Sequence, residues 1–244
     1  MHRFFVNDAG VQGMRARLDP EEARHAARVL RLASGEEVEL LDGLRRYRAR
    51  LTAVAPDGAE ADVLEALPDN EPDVRVTLYQ GLPKAEKMEW IVQKCTELGV
   101  HAIQPVLMER CVARAEGKDG ARKAERWQRI AREAVKQCGR AHVPQVAPPR
   151  PLAALCGALA ADYDLVLVPW EEAHAQGLHT LVPGRDARRI AIVVGPEGGM
   201  AAGEVERLTG LGAQAVTLGP RILRTETAGM AALTMALCLA GQME

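Results

Sequence analysis

Aromatic residues are scarce in this chain of 244 residues: three Trp, three Tyr and two Phe make up 3% of it. A protein with so few rings has little to stack bases on, so any hold on nucleic acid rests on backbone charge and shape. Cysteines are few and unpaired by pattern. The five, Cys95, Cys111, Cys138, Cys156 and Cys238, are odd in number, with no CxxC and no histidine at zinc spacing. That excludes a disulfide scaffold and a thiolate metal site, and leaves reduced, mostly buried thiols as the expectation. His25, His101, His142, His174 and His179 are scattered and read as structural, so no metal is expected. No run is long and apolar enough for a membrane. The longest uncharged stretch, residues 227–243, falls short of the roughly 20 residues a span requires and reads as a buried helix. The start, MHRFFVNDAG, has no apolar run before a small-residue cleavage site, so no secretory signal is expected and the chain is placed in the cytoplasm.

Net charge is also nearly absent, at -2, but that value conceals a division. Residues 1–50 sum to +2, 51–83 to -6, 84–150 to +6 and 151–244 to -4. A basic stretch inside a neutral protein is the footprint a polyanion would use. Of the 31 cations 25 are Arg, forks suited to phosphate and base edges, although an Arg-biased genome or a thermophile gives the same ratio. With 48% hydrophobic and 26% charged residues, the remainder is a soluble globular protein of one or two domains.

The first seventy residues read as a small strand-rich domain. After the strand RFFV, a helical piece at 20–30 is capped by Asp19 and turns Ala23, Ala26, Ala27 and Leu30 to one face. EVELLDG, RRYRARLTAV and GAEADVLEAL then read as strands. In the second, Tyr47, Ala49, Leu51 and Ala53 alternate with Arg46, Arg48, Arg50 and Thr52, giving one wet and basic face. Short strands of this kind close into a barrel. The acidic, proline-bearing LPDNEPD at 67–73 is the boundary.

From residue 74 strands alternate with helices. VRVTLYQG, HAIQPVLM, YDLVLVP, RIAIVVG and QAVTLG are apolar runs of the kind found in parallel strands covered on both faces. KAEKMEWIVQKCTELG carries a helical stripe of Met88, Ile91, Val92, Cys95 and Leu98. RKAERWQRIAREAVKQC turns Trp127, Ile130, Ala131, Ala134 and Cys138 inward. Its other face, with the following turn, shows Arg122, Lys123, Arg126, Arg129, Arg132, Lys136 and Arg140. That face is either plain solvation or, with Lys84, Lys87, Lys94, Arg110 and Arg114, a track for phosphates. VPQVAPPRP, at 143–151, reads as a connector. The fold class is α/β with a parallel sheet.

Two strand ends carry the chemistry. IAIVVGPEGG runs a buried strand into glycines that expose backbone amides, and AVTLGPRILRTETAG does the same before the last helix. Ligands lie beyond the carboxyl ends of such strands, so the two loops outline one pocket unless both are mere turns. Neither GxGxxG nor GxxxxGK[ST] stands at either junction, which leaves dinucleotides and triphosphates unsupported. An uncharged or zwitterionic ligand gripped by backbone groups fits better. Arg224 and Glu226 can handle a polar substrate there, or form an ordinary surface ion pair. No Ser/His/Asp set, Cys/His dyad or pair of carboxylates can be placed.

GPEGG with Glu204 beyond it, LGPRILRTETA, the helix ending QKCTELGV, and RWQRIAREAVKQCGR together resemble the RsmE-type ribosomal RNA uracil N3-methyltransferases of the SPOUT superfamily. RHAARVLRLASGEEVELLDG resembles that family's PUA-like domain, so the likeness covers nearly the whole chain. Cys111 stands where the family often has Ser, and Met200 where it often has Phe; neither change removes a polar group with a catalytic assignment.

The resemblance implies a PUA-like RNA-binding β-barrel at 1–70 and a SPOUT methyltransferase domain at 74–244 with a parallel sheet and a deep trefoil knot. S-adenosylmethionine is then the cofactor, bound in a bent form by three loops. These contribute Leu167, Pro169 and Glu171; Gly195, Pro196, Glu197, Gly198 and Gly199; and Leu218, Gly219, Ile222, Leu223 and Thr227. The reaction implied is attack of uracil N3 on the sulfonium methyl; from their loop position alone, Arg224 is expected to support the carbonyl charge and Glu226 to orient it or help the proton leave. RNA-binding candidates are Arg28, Arg31, Arg46, Arg48, Lys84, Lys87, Arg126 and Arg129. The implied partners are 16S ribosomal RNA at uridine 1498, in the assembled small ribosomal subunit, and a second copy of the chain packed through the 227–243 helix. The competing readings are a related 2'-O-ribose RNA methyltransferase and a non-catalytic RNA-binding assembly protein.

Overall fold

The computed structural model describes residues 1–115, 117–173, 177–182 and 186–243, so His174 lies outside the described residues. These divide into two units, Met1–Glu71 with Val135–Val143, and Pro72–Ala134 with Pro144–Glu244.

In the first unit β1 (Arg3–Gln12), β2 (Arg15–Leu18), β3 (Glu37–Leu41), β4 (Arg46–Ala55) and β5 (Gly58–Ala66) close a barrel in the order β1-β2-β5-β4-β3. The β1–β3 seam is parallel and the other pairs are antiparallel. Alternation fills it: Ala59, Ala61 and Val63 of β5 point inward with Ala49 and Leu51 of β4, against Phe4, Leu18, Val38 and Leu40. Ala53 was expected on the same inner face but is exposed. The register shifts between Leu51 and Ala53, and a one-residue slip moves every later side chain to the other face.

α1 (Pro20–Arg24) starts as expected, with an Asp19 carboxylate oxygen accepting from the Glu21 N–H at 3.0 Å. It then widens into a π-turn over His25–Leu30 and stops at Arg31, which takes a left-handed φ of 55°. Ala23 and Ala26 are buried, and Arg28 and Arg31 are exposed.

The basic face expected of β4 is neutralised by its neighbours. Arg50 and Arg48 meet Glu37 at 2.8 and 3.4 Å, Arg48 also meets Glu65 at 2.8 Å, and Arg46 lies 3.9 Å from Glu39. These are cross-strand pairs in the β3–β4 and β4–β5 registers, so the stripe of arginines is half of a mixed ladder.

Residues 135–143 complete this unit: Val135 and Val143 pack on Phe5 and Leu41. The helix Gly117–Cys138 ends before Arg140, which is only 5% exposed and holds Glu71 with its Nη2 2.6 Å from Oε2. The same carboxylate accepts from the Ala141 and His142 N–H groups. Lys136 is likewise committed, to the buried Glu22 at 3.1 Å. Both cations therefore leave the proposed phosphate track. Glu71→Gln removes the charge that answers a buried guanidinium, and is expected to cost about 2 kcal/mol in denaturant unfolding.

The second unit is one parallel sheet. β6 (Arg75–Gly81), β7 (Ala102–Leu107), β8 (Gln145–Val146), β10 (Leu165–Pro169), β11 (Arg189–Val194) and β12 (Gln214–Val216) run in the order β12-β10-β11-β6-β7-β8, with β9 (Arg150–Pro151) also on β7. β8 and β9 fall in the connector. Gln128, from α3 (Gly117–Cys138), draws that segment to the edge by bonding the Val146 N–H and the Pro144 carbonyl. α2 (Lys87–Glu97) starts three residues later than its pattern, since Ala85 has a φ of 54°. Its Met88, Ile91, Val92 and Cys95 are buried. α4 (Cys156–Ala161) and α5 (Ala202–Gly210) complete the layers, and α6 (Thr225–Leu239) packs on α2, β6 and β11. From β6 the chain goes out to β7 and β8 on one side, and β10, β11 and β12 then fill the other side, with β10 between β11 and β12. The strands added later in the chain thus lie on the β11 side of β6, and their carboxyl ends are where a ligand crevice is expected.

Candidate active site

The loops that follow β10, β11 and β12 come together, because those strands are neighbours and parallel. Between the loops after β10 and β12 lies a cavity of about 470 Å³. A second, of about 270 Å³, lies between the loops after β10 and β11 and the start of α6. Pro169, Glu171, Ile222, Leu223 and Ala228 line both, so they form one crevice of ordinary ligand size.

Of the residues named for the cofactor, Pro169, Glu171, Gly195, Pro196, Glu197, Gly199, Leu218, Gly219, Ile222 and Leu223 line this crevice. Leu167 is fully buried within β10, Thr227 is exposed on α6, and Gly198 backs onto Arg110, whose guanidinium donates to the Gly198 carbonyl at 3.2 Å. At Gly199 the backbone has a φ of 69°, and a Cβ would lie 2.7 Å from the Glu171 carboxylate. The positive φ favours glycine there, and a Cβ would push the Glu171 carboxylate aside. Glu204 braces the turn from behind, accepting from the Ala201 N–H at 3.0 Å and the Glu109 N–H at 2.9 Å.

Arg224 lines the smaller cavity at the N-cap of α6, exposed and with no ion-pair partner among the described residues. Glu226 does not pair with it. Instead Lys87 Nζ stands 3.2 Å from both Glu226 Oε2 and Glu197 Oε1, tying the loop after β11 to the first turn of α6. The two carboxylates, Glu197 first, raise the Lys87 pKa and keep its ammonium charged. Burial works to raise Glu197, but the Lys84 N–H, its own backbone N–H and the Lys87 charge together hold it below the usual carboxylate range. A depressed acid contributes stability above its unfolded pKa and loses it as pH falls through the folded one. Glu197→Gln should accordingly melt below the wild type at neutral pH, with the gap closing on acidification through the carboxylate range. A gap that stays constant with pH would show the ion pair to be inert.

Two residues of the site carried no assignment from sequence. Thr225 is buried and its hydroxyl donates to the Gly195 carbonyl at 2.6 Å, while accepting from Gln80 Nε2 at 2.8 Å. Gln80 is fully buried at the end of β6. A polar side chain inside the run VTLYQG was the one available signal.

Among the RNA-binding candidates, Lys84, Arg28, Arg31 and Arg129 are exposed and carry no ion pair among the described residues. Arg126 is held by Glu89 at 2.7 Å, and Arg46 and Arg48 by the barrel acids. Among the described residues there is no cluster able to hold a metal, and no helix long and apolar enough to cross a membrane.

A crevice of bare loop backbone at the ends of three parallel strands has counterparts. A family model described as an RNA methyltransferase domain matches residues 70–237, and one described as an RNA methyltransferase PUA domain matches residues 18–64. The ribosomal RNA small subunit methyltransferase E of Bacillus subtilis is 38% identical over 225 residues, which cover 88% of this chain and 86% of that protein. The protein of that name from Mycobacterium bovis is 36% identical over 237 residues, covering 94% and 88%. A crystal structure of a ribosomal RNA small subunit methyltransferase E from Neisseria gonorrhoeae, bound to S-adenosyl methionine, superposes with a TM-score of 0.84 at 35% identity over 98% of each chain. The chain belongs to the ribosomal RNA small subunit methyltransferase E family, as its four sequence segments indicated.

Proposed function

We propose that this chain transfers the methyl group of S-adenosylmethionine to N3 of a uridine in 16S ribosomal RNA, uridine 1498, on assembled small subunits in the cytoplasm. The proposal includes a knotted C-terminal path and a homodimer packed through α6. The observation that carries it is the crevice built from the three loops, with the uncommitted Arg224 at its edge.

The residues present fit the cofactor. Pro169, Leu218, Ile222 and Leu223 offer an apolar wall, the charged lining of the larger cavity is balanced between Glu171 and Arg221, and the glycine at 199 leaves backbone open that a Cβ would close. When bound, S-adenosylmethionine supplies an electrophilic methyl group. Uracil N3 becomes nucleophilic once its proton leaves, so the protein needs no nucleophile of its own. The buried thiols agree with this: burial pushes Cys95 up to about 12 and also raises Cys111, so neither is a ready thiolate. The work left to the chain is to hold the base and stabilise its anion. Arg224 supplies the cation for the uracil carbonyls. Glu226, fixed by Lys87, is the candidate acceptor for the N3 proton. The target base must leave its stack to reach this position.

Nucleoside mass spectrometry of small-subunit RNA from a deletion strain tests the reading. Loss of 3-methyluridine at one position is the expected result. Loss of a ribose-methylated nucleoside would instead identify a 2'-O-methyltransferase, and an unchanged profile a non-catalytic protein.

A further inference from the structure

The polar pair inside the second unit has a consequence for the reaction. Gln80 Nε2 donates both to the Gly81 carbonyl at 3.1 Å and to Thr225 Oγ1 at 2.8 Å, and Thr225 Oγ1 donates onward to the Gly195 carbonyl at 2.6 Å. This chain of donors starts on β6, passes through the first residue of α6 and ends on the first residue of the loop after β11. It spans the neighbouring parallel strands β6 and β11 in the middle of the sheet.

Gln80 is wholly buried, and its Oε1 has no hydrogen-bond partner among the described residues. Burying an amide with one end unsatisfied is costly, so the other end must be held for a reason. The space around it is fitted as well. A Cβ on Gly229 of α6 would lie 3.0 Å from that same Oε1. One turn of α6 is therefore seated on the Gln80 amide, by a hydrogen bond at Thr225 and by close approach at Gly229. Arg224 and Glu226 flank Thr225 directly, and Gly195 opens the loop that carries Glu197.

We infer that Gln80 and Thr225 are positioning residues for methyl transfer, fixing the first turn of α6 and thus Arg224 against the Gly195 loop. Neither need touch substrate for this role. The inference rests on the proposed methyl transfer, and deepens it by naming what sets the geometry of the cation. Pure sheet or helix stability would be served as well by apolar side chains of the same shape. What these two add is a directional lock between two loops whose relative placement decides the reaction geometry.

The test compares Thr225→Val, which keeps the shape and loses the hydroxyl, with Thr225→Ser, which keeps the hydroxyl and loses the methyl. Gln80→Met serves as the second disruption should Thr225→Val fail to fold, and melting curves establish which proteins are folded. Measured quantities are kcat and KM on small subunits, and S-adenosylmethionine affinity by calorimetry. Thr225→Val and Gln80→Met should each lower kcat about 100-fold, while KM for RNA and cofactor affinity stay within about threefold. Thr225→Ser should lie within about threefold of the wild type in kcat. Folded Thr225→Val or Gln80→Met with kcat near the wild type overturns the inference. So does Thr225→Ser as slow as Thr225→Val, which would assign the effect to packing. Failure of the wild type itself to methylate small-subunit RNA strikes the proposed function instead; calorimetry on the same variants then reads the lock, which predicts no more than a small change in cofactor affinity.

Discussion

Arg224→Ala is expected to lower kcat for methyl transfer about 100- to 1000-fold, the range seen when one preorganised donor to a developing anion is removed. Cofactor affinity should hardly change. Arg224 lines only the smaller cavity, at its edge, and gives no support to the wall of the larger one. The guanidinium is exposed and free of ion pairs among the described residues, so its loss leaves no buried charge unanswered and the protein should melt close to the wild type. Arg224→Lys restores a cation but not the planar fork, and should recover only part of the rate. Single-turnover methylation of small subunits, with calorimetric titration of the cofactor, measures both quantities. Undiminished turnover in Arg224→Ala would remove this residue from the mechanism; Lys87, which also lines the smaller cavity, would be a poor substitute given its two carboxylates.

Gly81→Ala is expected to act through the fold of the site and to abolish measurable cofactor binding. A Cβ at residue 81 would stand 2.5 Å from the Pro196 nitrogen and 2.8 Å from the Gly195 carbonyl carbon, and both neighbours are main chain. No rotamer change relieves such a clash. Either β6 or the loop after β11 must move, and strain of this kind costs about 1–3 kcal/mol. Because the displaced loop carries Gly195, Glu197 and Gly199, one methyl group should cost both stability and the cofactor site. Calorimetry with S-adenosylmethionine and a melting curve give the two readings. A variant with unchanged affinity would mean that the crevice does not depend on this contact.

Much of this architecture could be read from local pattern. The runs LVLVP and RIAIVV have the unbroken apolarity of strands covered on both faces, and both lie in the middle of the sheet. The loop after RIAIVV was legible because glycine has few other reasons to cluster at the end of a buried strand, whereas the loop after LVLVP was named only through the family resemblance. Side-chain partnerships were not legible, since they depend on register. Arg46, Arg48 and Arg50 read as a bare basic face, yet Glu37, Glu39 and Glu65 lie opposite them only because of how β3, β4 and β5 align. Arg224 and Glu226 are close in sequence and suggest each other as partners. Lys87, distant in the chain, is the group that holds Glu226. Thr225 was passed over in favour of Thr227 because nothing in the segment RTET tells which threonine faces inward; the one at the helix start does. The β8 and β9 edge strands were hidden by prolines, which mark a connector but also suit short strands at an edge.

The order in which the chain is made bears on the barrel. Its seam residues Phe5 and Leu41 are covered by Val135 and Val143, which arrive only after the whole of Pro72–Ala134 has been synthesised. At translation rates of about 5–20 residues per second, the nascent N-terminal strands wait several seconds with that patch unsealed. The barrel is therefore first to emerge but is sealed only once residue 143 has been made, and a fragment ending at Glu71 should be a sticky intermediate.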